Sequence, residues 1–498
     1  MRPWWPLVAV CLGTFMLLVD VTIVNVALPP IAASLGTSFG GLAWVIDGYA
    51  LALAALLMIT GTLADRFGRR RLYLAGLGVF AAASLACGLA PDAGTLVAAR
   101  VVQGAGGAAM FATTAALIAT TYHGRRRGTA FGVWGAVNGL AAAAGPLLGG
   151  LLTQTWGWRA IFLVNLPVAV LAVLLTLAVV PGSAPAGGRG RVDVLGAATF
   201  TVASAALVYG LVAAGEQGWG ATDTVVALAL AGAALVAFLV VEHRSAAPMF
   251  DLALFADPSF AALMVAAAIL QAGAFAHLAL VSLWLQSVLG LTPIHAGLVV
   301  IPLSVASFVV SVAAGRFLHG GSPARPVAGG LALIGVGVLL MTLVGPASGP
   351  WALCAGLVVA GLGVGLATPV LVSATLAVLP PHRAGVGSAA VNTFRQLGLA
   401  VGLAVLGTVF AGRVATVLSG AGTPDPTATA NALAGGRAAQ VVGTGDATTA
   451  VVRQAFAAGL DRVFTVAGIG ALVAAVLVAV WVRPTVAAPE PVGEGARA

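Results

Sequence analysis

Lysine is absent from this sequence, and charged residues of all kinds fill only 8% of its 498 positions, where an ordinary soluble domain carries about 25%. A chain so poor in charge cannot clothe a water-facing surface. With 60% hydrophobic residues and a mean hydropathy of +1.07, the composition is that of a membrane protein. Cysteine is scarce as well: Cys11, Cys87 and Cys354 fall inside apolar runs without metal-ligand spacing, so they read as packing residues and no metal site is expected. The pattern G-x-x-x-x-G-K-[ST] is missing, which excludes a nucleotide motor in the chain. No His/Cys/Asp arrangement has the spacing of a nucleophile and its base, so the chain does not read as an enzyme and no cofactor is expected.

What is present is a succession of fourteen apolar runs, each long enough at 1.5 Å per residue to cross a hydrocarbon core of about 30 Å. They cover residues 7–29, 41–63, 72–90, 95–120, 129–153, 160–180, 194–213, 224–241, 260–288, 296–317, 326–345, 351–377, 386–411 and 464–482. A β-barrel would show short alternating segments instead, so the expected fold is an all-α helical bundle. The 66 glycines suit it, because helices in lipid associate by close backbone approach at small residues. The first run is too long for a signal-peptide core and contains Asp20 and Asn25, so it reads as a membrane helix.

Orientation follows from arginine. With the N-terminus inside, Arg66, Arg69–Arg71, Arg125–Arg127 and most other loop arginines lie on the inner side, and outer loops hold only Arg159, Arg413, Arg437, Arg453 and Arg462. Both termini are then cytoplasmic. The same placement disposes of nucleic acid as the reason for a net charge of +8, since these arginines sit in short loops where topology and anionic lipid account for them.

The runs group as six, two and six. Residues 1–180 form a first bundle, 181–258 hold the linker "PGSAPAGGRGR", two inserted helices and a second connection, and 259–482 form a second bundle. That bundle includes a long outer loop at about 413–462, and 483–498 make a cytoplasmic tail. Two six-helix halves with a site at the midplane between them are a transporter architecture.

Charge is concentrated in "GTLADRFGRRR", between the second and third runs. Its Gly61, Asp65, Arg66, Gly68, Arg69 and Arg70 resemble the signature loop of the major facilitator superfamily. That resemblance implies a small residue in contact with the opposite half, an acid facing a helix N-terminus, and arginines completing an inner-gate latch. Further pieces resemble the fourteen-helix drug:proton antiporter branch: "LLVDVTIVNVALPPIA" (17–32), "RVVQGAGGAAM" (100–110), "GPLLGGLL" (145–152) with "WGWRAIFLVNLP" (156–167), "LQSVLGLTPIHAGLVVIP" (285–302) and "RAGVGSAAVNTFRQLG" (383–398). The likeness covers nearly the whole chain and implies a proton-coupled exporter of bulky amphipathic drugs or antibiotics, driven by the proton gradient and working by alternating access. A lipid or other hydrophobic-metabolite exporter, or an uptake symporter, are the alternatives on the same fold. The setting implied is a bacterial cytoplasmic membrane, with a hydrophobic small molecule, protons and lipid as partners, and a monomer. Gly145, Pro146, Gly149 and Gly150 match the antiporter motif, where a broken helix and a tight seam between halves are expected.

Ionisable groups inside the membrane cost about 2.5–3.5 kcal/mol each on insertion scales and are seldom kept without use. The first eight runs contain Asp20, Asp47 and Arg100, about 13, 9 and 8 Å from the outer ends of their spans at 1.5 Å per residue. An arginine there holds a nearby carboxylate ionised while burial disfavours its charge, a balance suited to proton coupling. The second half contains no membrane carboxylate. Candidate cavity residues are Asn25, Gln103, Asn138, Gln271, His277, Trp284, Gln286 and Asn392. Two acids offset by one arginine predict a large, mostly apolar cavity for neutral or monocationic compounds rather than compact dications.

Overall fold

The computed structural model describes residues 3–35, 39–182, 193–245, 248, 250–317, 322–380, 383–434 and 446–482. Among these no strand occurs. The first half consists of α1 (Trp5–Leu35), α2 (Phe39–Phe67), α3 (Arg69–Gly88), α4 (Ala93–Thr121), α5 (Gly124–Trp156) and α6 (Ala160–Val179). An inserted hairpin, α7 (Val194–Gln217) and α8 (Thr222–Arg244), follows. The second half has α9 (Pro258–Val288), α10 (Pro293–Phe317), α11 (Ala324–Leu340), α12 (Cys354–Val378), α13 (Ala384–Gly420), a short α14 (Pro426–Ala434) and α15 (Asp446–Trp481). Thirteen of these helices are long and apolar enough to cross a membrane. The 33-residue α5 adds a fourteenth of spanning length, about 50 Å at 1.5 Å per residue.

Local signals start the helices where the chain supplies them. Asp92 and Asp193 accept hydrogen bonds from the first-turn amides of Thr95 and Gly196 at 2.8 and 2.7 Å, the usual side-chain replacement for a missing helical partner. Asp257 does the same before α9, with Pro258 in the first helical position. Between α2 and α3 the chain turns on Gly68 alone, whose φ of 99° is one that side chains other than glycine resist.

The halves meet along two pairs of helices, α5 with α10 and α2 with α13, with α4 against α13 and α5 against α12 beside them. The inserted hairpin packs on α2 and α13. Trp44 of α2 stacks on Tyr209 of α7 at 5.7 Å, and the indole N–H of Trp219 donates to the Thr408 hydroxyl of α13 at 2.7 Å. The outward faces of α6 and α8 are rows of exposed Val and Leu, including Leu171, Leu174, Val226, Leu230 and Val236. Such apolar faces are stable only against lipid tails, with every backbone bond closed within its helix.

Two expectations change. Among its described residues the segment at 413–462 is largely helix: α13 runs on to Gly420, α14 follows, and α15 starts at Asp446. Its polar Thr, Arg and Gln residues lower hydropathy without breaking the helix, because alanine between them sustains it. Likewise α5 is one continuous helix through Gly145 and Pro146. Gly145 lies directly against the Thr22 side chain of α1, which supports the backbone there. The side chain of Pro146 is outside the described residues.

Candidate functional site

A cavity of about 950 Å³ lies between the two halves. Its wall includes Leu17, Val21, Asp47, Phe111, Asn138, Gln271, Phe275, Ser282, Gln286, Ser304, Arg395 and Gln396, so both halves contribute and apolar residues predominate. A second cavity of about 830 Å³ shares Asp47, Gln396 and Leu399 with the first and runs along α7, bounded by Val208, Leu211, Trp219 and Thr408.

At one end of the molecule the seam beneath the cavity is closed. Asp65, at the end of α2, reaches across to the second half, where its two carboxylate oxygens accept the amides of Gly385 and Val386 at 2.9 Å each. These are first-turn amides of α13, which have no partner within their own helix and carry the positive end of its dipole. Arg69 completes the arrangement, donating from Nε and Nη2 to Asp65 Oδ1 at 2.9 and 2.8 Å. Gly61, one turn earlier, is close enough to Ala389 and to the Gly385 carbonyl that a side chain there would collide with α13. Arg70 donates to the Leu177 carbonyl of α6 at 2.6 Å, and Arg66 lies over the Phe67 ring at 5.4 Å. The acid-to-helix geometry implied by the signature loop is therefore present atom by atom.

Asp20 and Arg100 come together within the first bundle. Arg100 Nη1 donates to Asp20 Oδ2 at 2.5 Å and to Gln103 Oε1 at 2.8 Å, while its Nε donates to the Val45 carbonyl at 3.0 Å. Gln103 and Asn165 each donate to Asp20 Oδ1, at 3.0 and 2.8 Å. Ser84 accepts from both amides. The Tyr49 ring covers the guanidinium at 4.1 Å. Asp20 and Gln103 are 0% exposed and Arg100 1%, so this network is sealed off from the cavity.

The expected grouping of Asp20, Asp47 and Arg100 is thus divided: Asp47 belongs to the walls of both cavities. The charge count that placed two acids and Arg100 around the substrate is corrected accordingly. Asp20 and Arg100 neutralise each other behind the wall, and the cavity itself holds Asp47 and Arg395.

Among the other candidates, Asn138, Gln271 and Gln286 line the cavity. Gln103 does not, being consumed by the Asp20 network. Asn392 lies just behind the wall, donating to the Phe111 carbonyl across the interface at 3.2 Å. His277 is corrected from cavity residue to packing residue: its Nδ1 meets the Gly273 carbonyl at 3.0 Å and its ring stands edge-on to Phe464 of α15. Trp284 is corrected in the same way, buried against Phe456. Both side chains face α15 because α9 turns its other face to the cavity. The side chain of Asn25 is outside the described residues. In the antiporter motif, Gly150 is approached by Ile294 of α10, and Gly149 is buried on the same helix.

The sequence reading missed three elements. Asn165 and Ser84 stand out in retrospect as polar residues in apolar runs. The third is a pair of π-helical turns in α9, Ala272–Ala276 and Trp284–Val288, which no residue pattern announces. A π turn widens a helix by one residue and is often found at functional sites.

A family model described as the Major Facilitator Superfamily matches residues 10–403. The multidrug resistance protein Stp of Mycobacterium tuberculosis is 38% identical over 413 residues, covering 83% of this chain and 76% of that protein. The tetracenomycin C resistance and export protein of Streptomyces glaucescens is 34% identical over 513 residues, covering 98% and 94%, and the puromycin resistance protein pur8 of Streptomyces alboniger is 38% identical over 435 residues, covering 86% of each. Among solved structures, the human organic anion transporter MFSD10 shares the fold, with a TM-score of 0.65 at 17% identity over 96% of this chain and all of that one. With the two bundles, the shared cavity and the Asp65 latch, these likenesses settle the family: the chain belongs to the Major Facilitator Superfamily.

Proposed function

We propose that this protein exports bulky amphipathic drugs or antibiotics across the bacterial cytoplasmic membrane in exchange for protons, by alternating access, with both termini in the cytoplasm. The observation that carries the reading is the asymmetry of the seam between the halves, latched at the Asp65 end and hollow between its middle and the opposite end. A carrier must close at one end while it opens at the other, and a latch of a few hydrogen bonds on a helix N-terminus is strong enough to close and weak enough to release. The arginine bias supports a cytoplasmic Asp65 end, and on that reading the present arrangement faces outward. Export of drug-like compounds is supported by the relatives, which are named for multidrug resistance, for tetracenomycin C resistance and export, and for puromycin resistance.

Proton exchange rests on Asp20. Its carboxylate ties α1 to α4 through Arg100 and to α6 through Asn165. Neutralising it strands a buried guanidinium, which must then find water or a new partner, so protonation and helix rearrangement are coupled. Asp47, in the cavity wall, is the acid that a proton entering with water meets first.

Asp20→Asn should abolish efflux driven by a pH gradient in everted vesicles while the protein remains folded and inserted. Full gradient-driven transport by that variant would remove Asp20 as the coupling group and turn attention to Asp47. A second reading, export of a lipid or another hydrophobic metabolite, is favoured by the apolar cavity along α7, which would suit an acyl chain. Movement of a fluorescent phospholipid, with no movement of drug, in proteoliposomes would select it.

A further inference from the structure

Arg395 is a buried charge that proton exchange leaves unused. It stands in the first third of α13, 9% exposed, with its guanidinium 5.9 Å from the centre of the Phe111 ring of α4. Its Nε donates to Gln271 Oε1 at 3.2 Å and its Nη1 to Asn392 Oδ1 at 3.5 Å. Both acceptors are neutral amides. The ion pairs among the described residues are Asp65–Arg69, Asp20–Arg100 and Asp251–Arg383, and none includes Arg395.

An ion buried without a counter-ion is costly, and in a membrane segment it marks a functional site. Arg100, buried more deeply, has Asp20 for its partner; among the described residues Arg395 has no carboxylate partner, and it forms part of the cavity wall. The amides that hold it leave most of its five N–H groups for another acceptor, and the planar fork of a guanidinium matches a carboxylate. Gln271 lies immediately before the π turn Ala272–Ala276, where the widened helix brings Phe275 to the same wall. Asp47 on α2 is the other charged residue in that wall among the described residues, so the cavity carries one charge of each sign.

We propose that Arg395, oriented by Gln271 and Asn392, is an anion-recognition subsite of the cavity. The preferred substrates are amphipathic compounds bearing one acidic group, a carboxylate or an ionised phenol or enol, with the apolar body against Leu17, Phe111, Phe275 and Leu278. This specifies the substrate class of the exporter and rests on the export reading for its physiological meaning.

The test uses three probes that share one apolar body and differ in charge: pyrenebutyrate, pyrenebutanamide and pyrenebutylamine. Binding to the purified full-length protein in lipid nanodiscs is followed by pyrene fluorescence. The acid should bind about tenfold more tightly than the amide, the gain of one charge-assisted contact. Arg395→Gln should bring the acid-to-amide ratio close to one. Gln271→Glu, which supplies an internal counter-ion, should do the same and serves if Arg395→Gln does not fold. Equal binding of acid and amide by the native protein overturns the subsite, and so does a loss in Arg395→Gln that falls equally on both probes. Transport of the same probes in proteoliposomes separates the two readings. Selective acid binding with no gradient-driven movement of any probe defeats export and leaves the subsite. Export of amide and amine without preference for the acid does the reverse.

Discussion

Arg100 in the first half and Arg395 in the second are both buried arginines on membrane helices, yet their surroundings differ in kind. Arg100 has a carboxylate, an amide oxygen, a backbone carbonyl and an aromatic ring, and it is shut away from the cavity. Arg395 has two amide oxygens, no carboxylate among the described residues, and a place in the cavity wall. A sealed ion pair is a lock, since it can change only if a proton arrives or the helices move. An uncompensated cation facing a cavity is a socket. On the proposed reading, the first half answers to protons and the second takes part in choosing what is carried.

The strongest test of that contrast is stability. Arg100→Met would leave the Asp20 carboxylate buried with only amide donors, a loss of about 3–5 kcal/mol by analogy with broken buried pairs. Arg395→Met strands no acid and should cost far less. Unfolding by denaturant in detergent compares the two, and equal losses would erase the distinction between lock and socket. Adding Asp20→Leu to Arg100→Met should recover most of the stability, because an apolar pair of similar volume replaces the ion pair, while gradient-driven transport stays lost.

Next in size is the seam that joins the halves. Gly61→Leu pushes a side chain into Ala389 and the Gly385 backbone, an overpacking of about 1–3 kcal/mol in the closed state. The Asp65 end should then stand open more often, and a cysteine placed in the cavity near Leu17 should label faster from that side. Unchanged labelling would mean that the halves close elsewhere.

Much of this was legible in the sequence, for identifiable reasons. Membrane helices announce themselves by length and hydropathy, and Gly61, Asp65 and Arg69 lie in one contiguous stretch, so its resemblance to a known signature could single them out. The Asp20–Arg100 pair was half legible: depth brought the two together, but the same depth argument admitted Asp47, which faces another way. Asn165 escaped because its role depends on where α6 crosses α1, which no local pattern states. Arg395 and Gln271 are 124 positions apart, and only the packing of α9 on α13 makes them neighbours. His277 and Trp284 were misplaced because composition says a residue is in a helix without saying which face of that helix is occupied. The helical stretches within 413–462 were hidden for the opposite reason: hydropathy reports where lipid ends, whereas α13 runs on to Gly420 and α15 begins at Asp446.

A smaller effect is expected from the charge of the latch. Asp65→Asn keeps the shape of the side chain but offers one acceptor oxygen where two amides and Arg69 now converge. The closed state should lose about 1–2 kcal/mol, the difference between charged and neutral hydrogen bonding. Cysteine labelling at the Asp65 end should rise less than in Gly61→Leu. If labelling and transport are both unchanged, the charges of this loop serve topology alone.

The smallest effect belongs to an acid that has neither a guanidinium partner nor a place in the seam. Asp92 caps α4 from the water, and hydrogen bonds from the Thr95 amide and hydroxyl hold its carboxyl below the usual carboxylate range. A depressed folded-state value means that the cap contributes stability above the ordinary unfolded value of about 4 and loses it as pH falls through the folded one. Asp92→Ala should therefore melt slightly below the native protein near neutral pH, with the gap closing in acid as the native carboxyl protonates. Asp20→Leu with Arg100→Met provides the contrast, since its transport defect should persist at every pH. A gap for Asp92→Ala that widens in acid would show that the cap acts through something other than its charge, and the water-exposed baseline against which the lock and the socket are measured would have to be drawn from another residue.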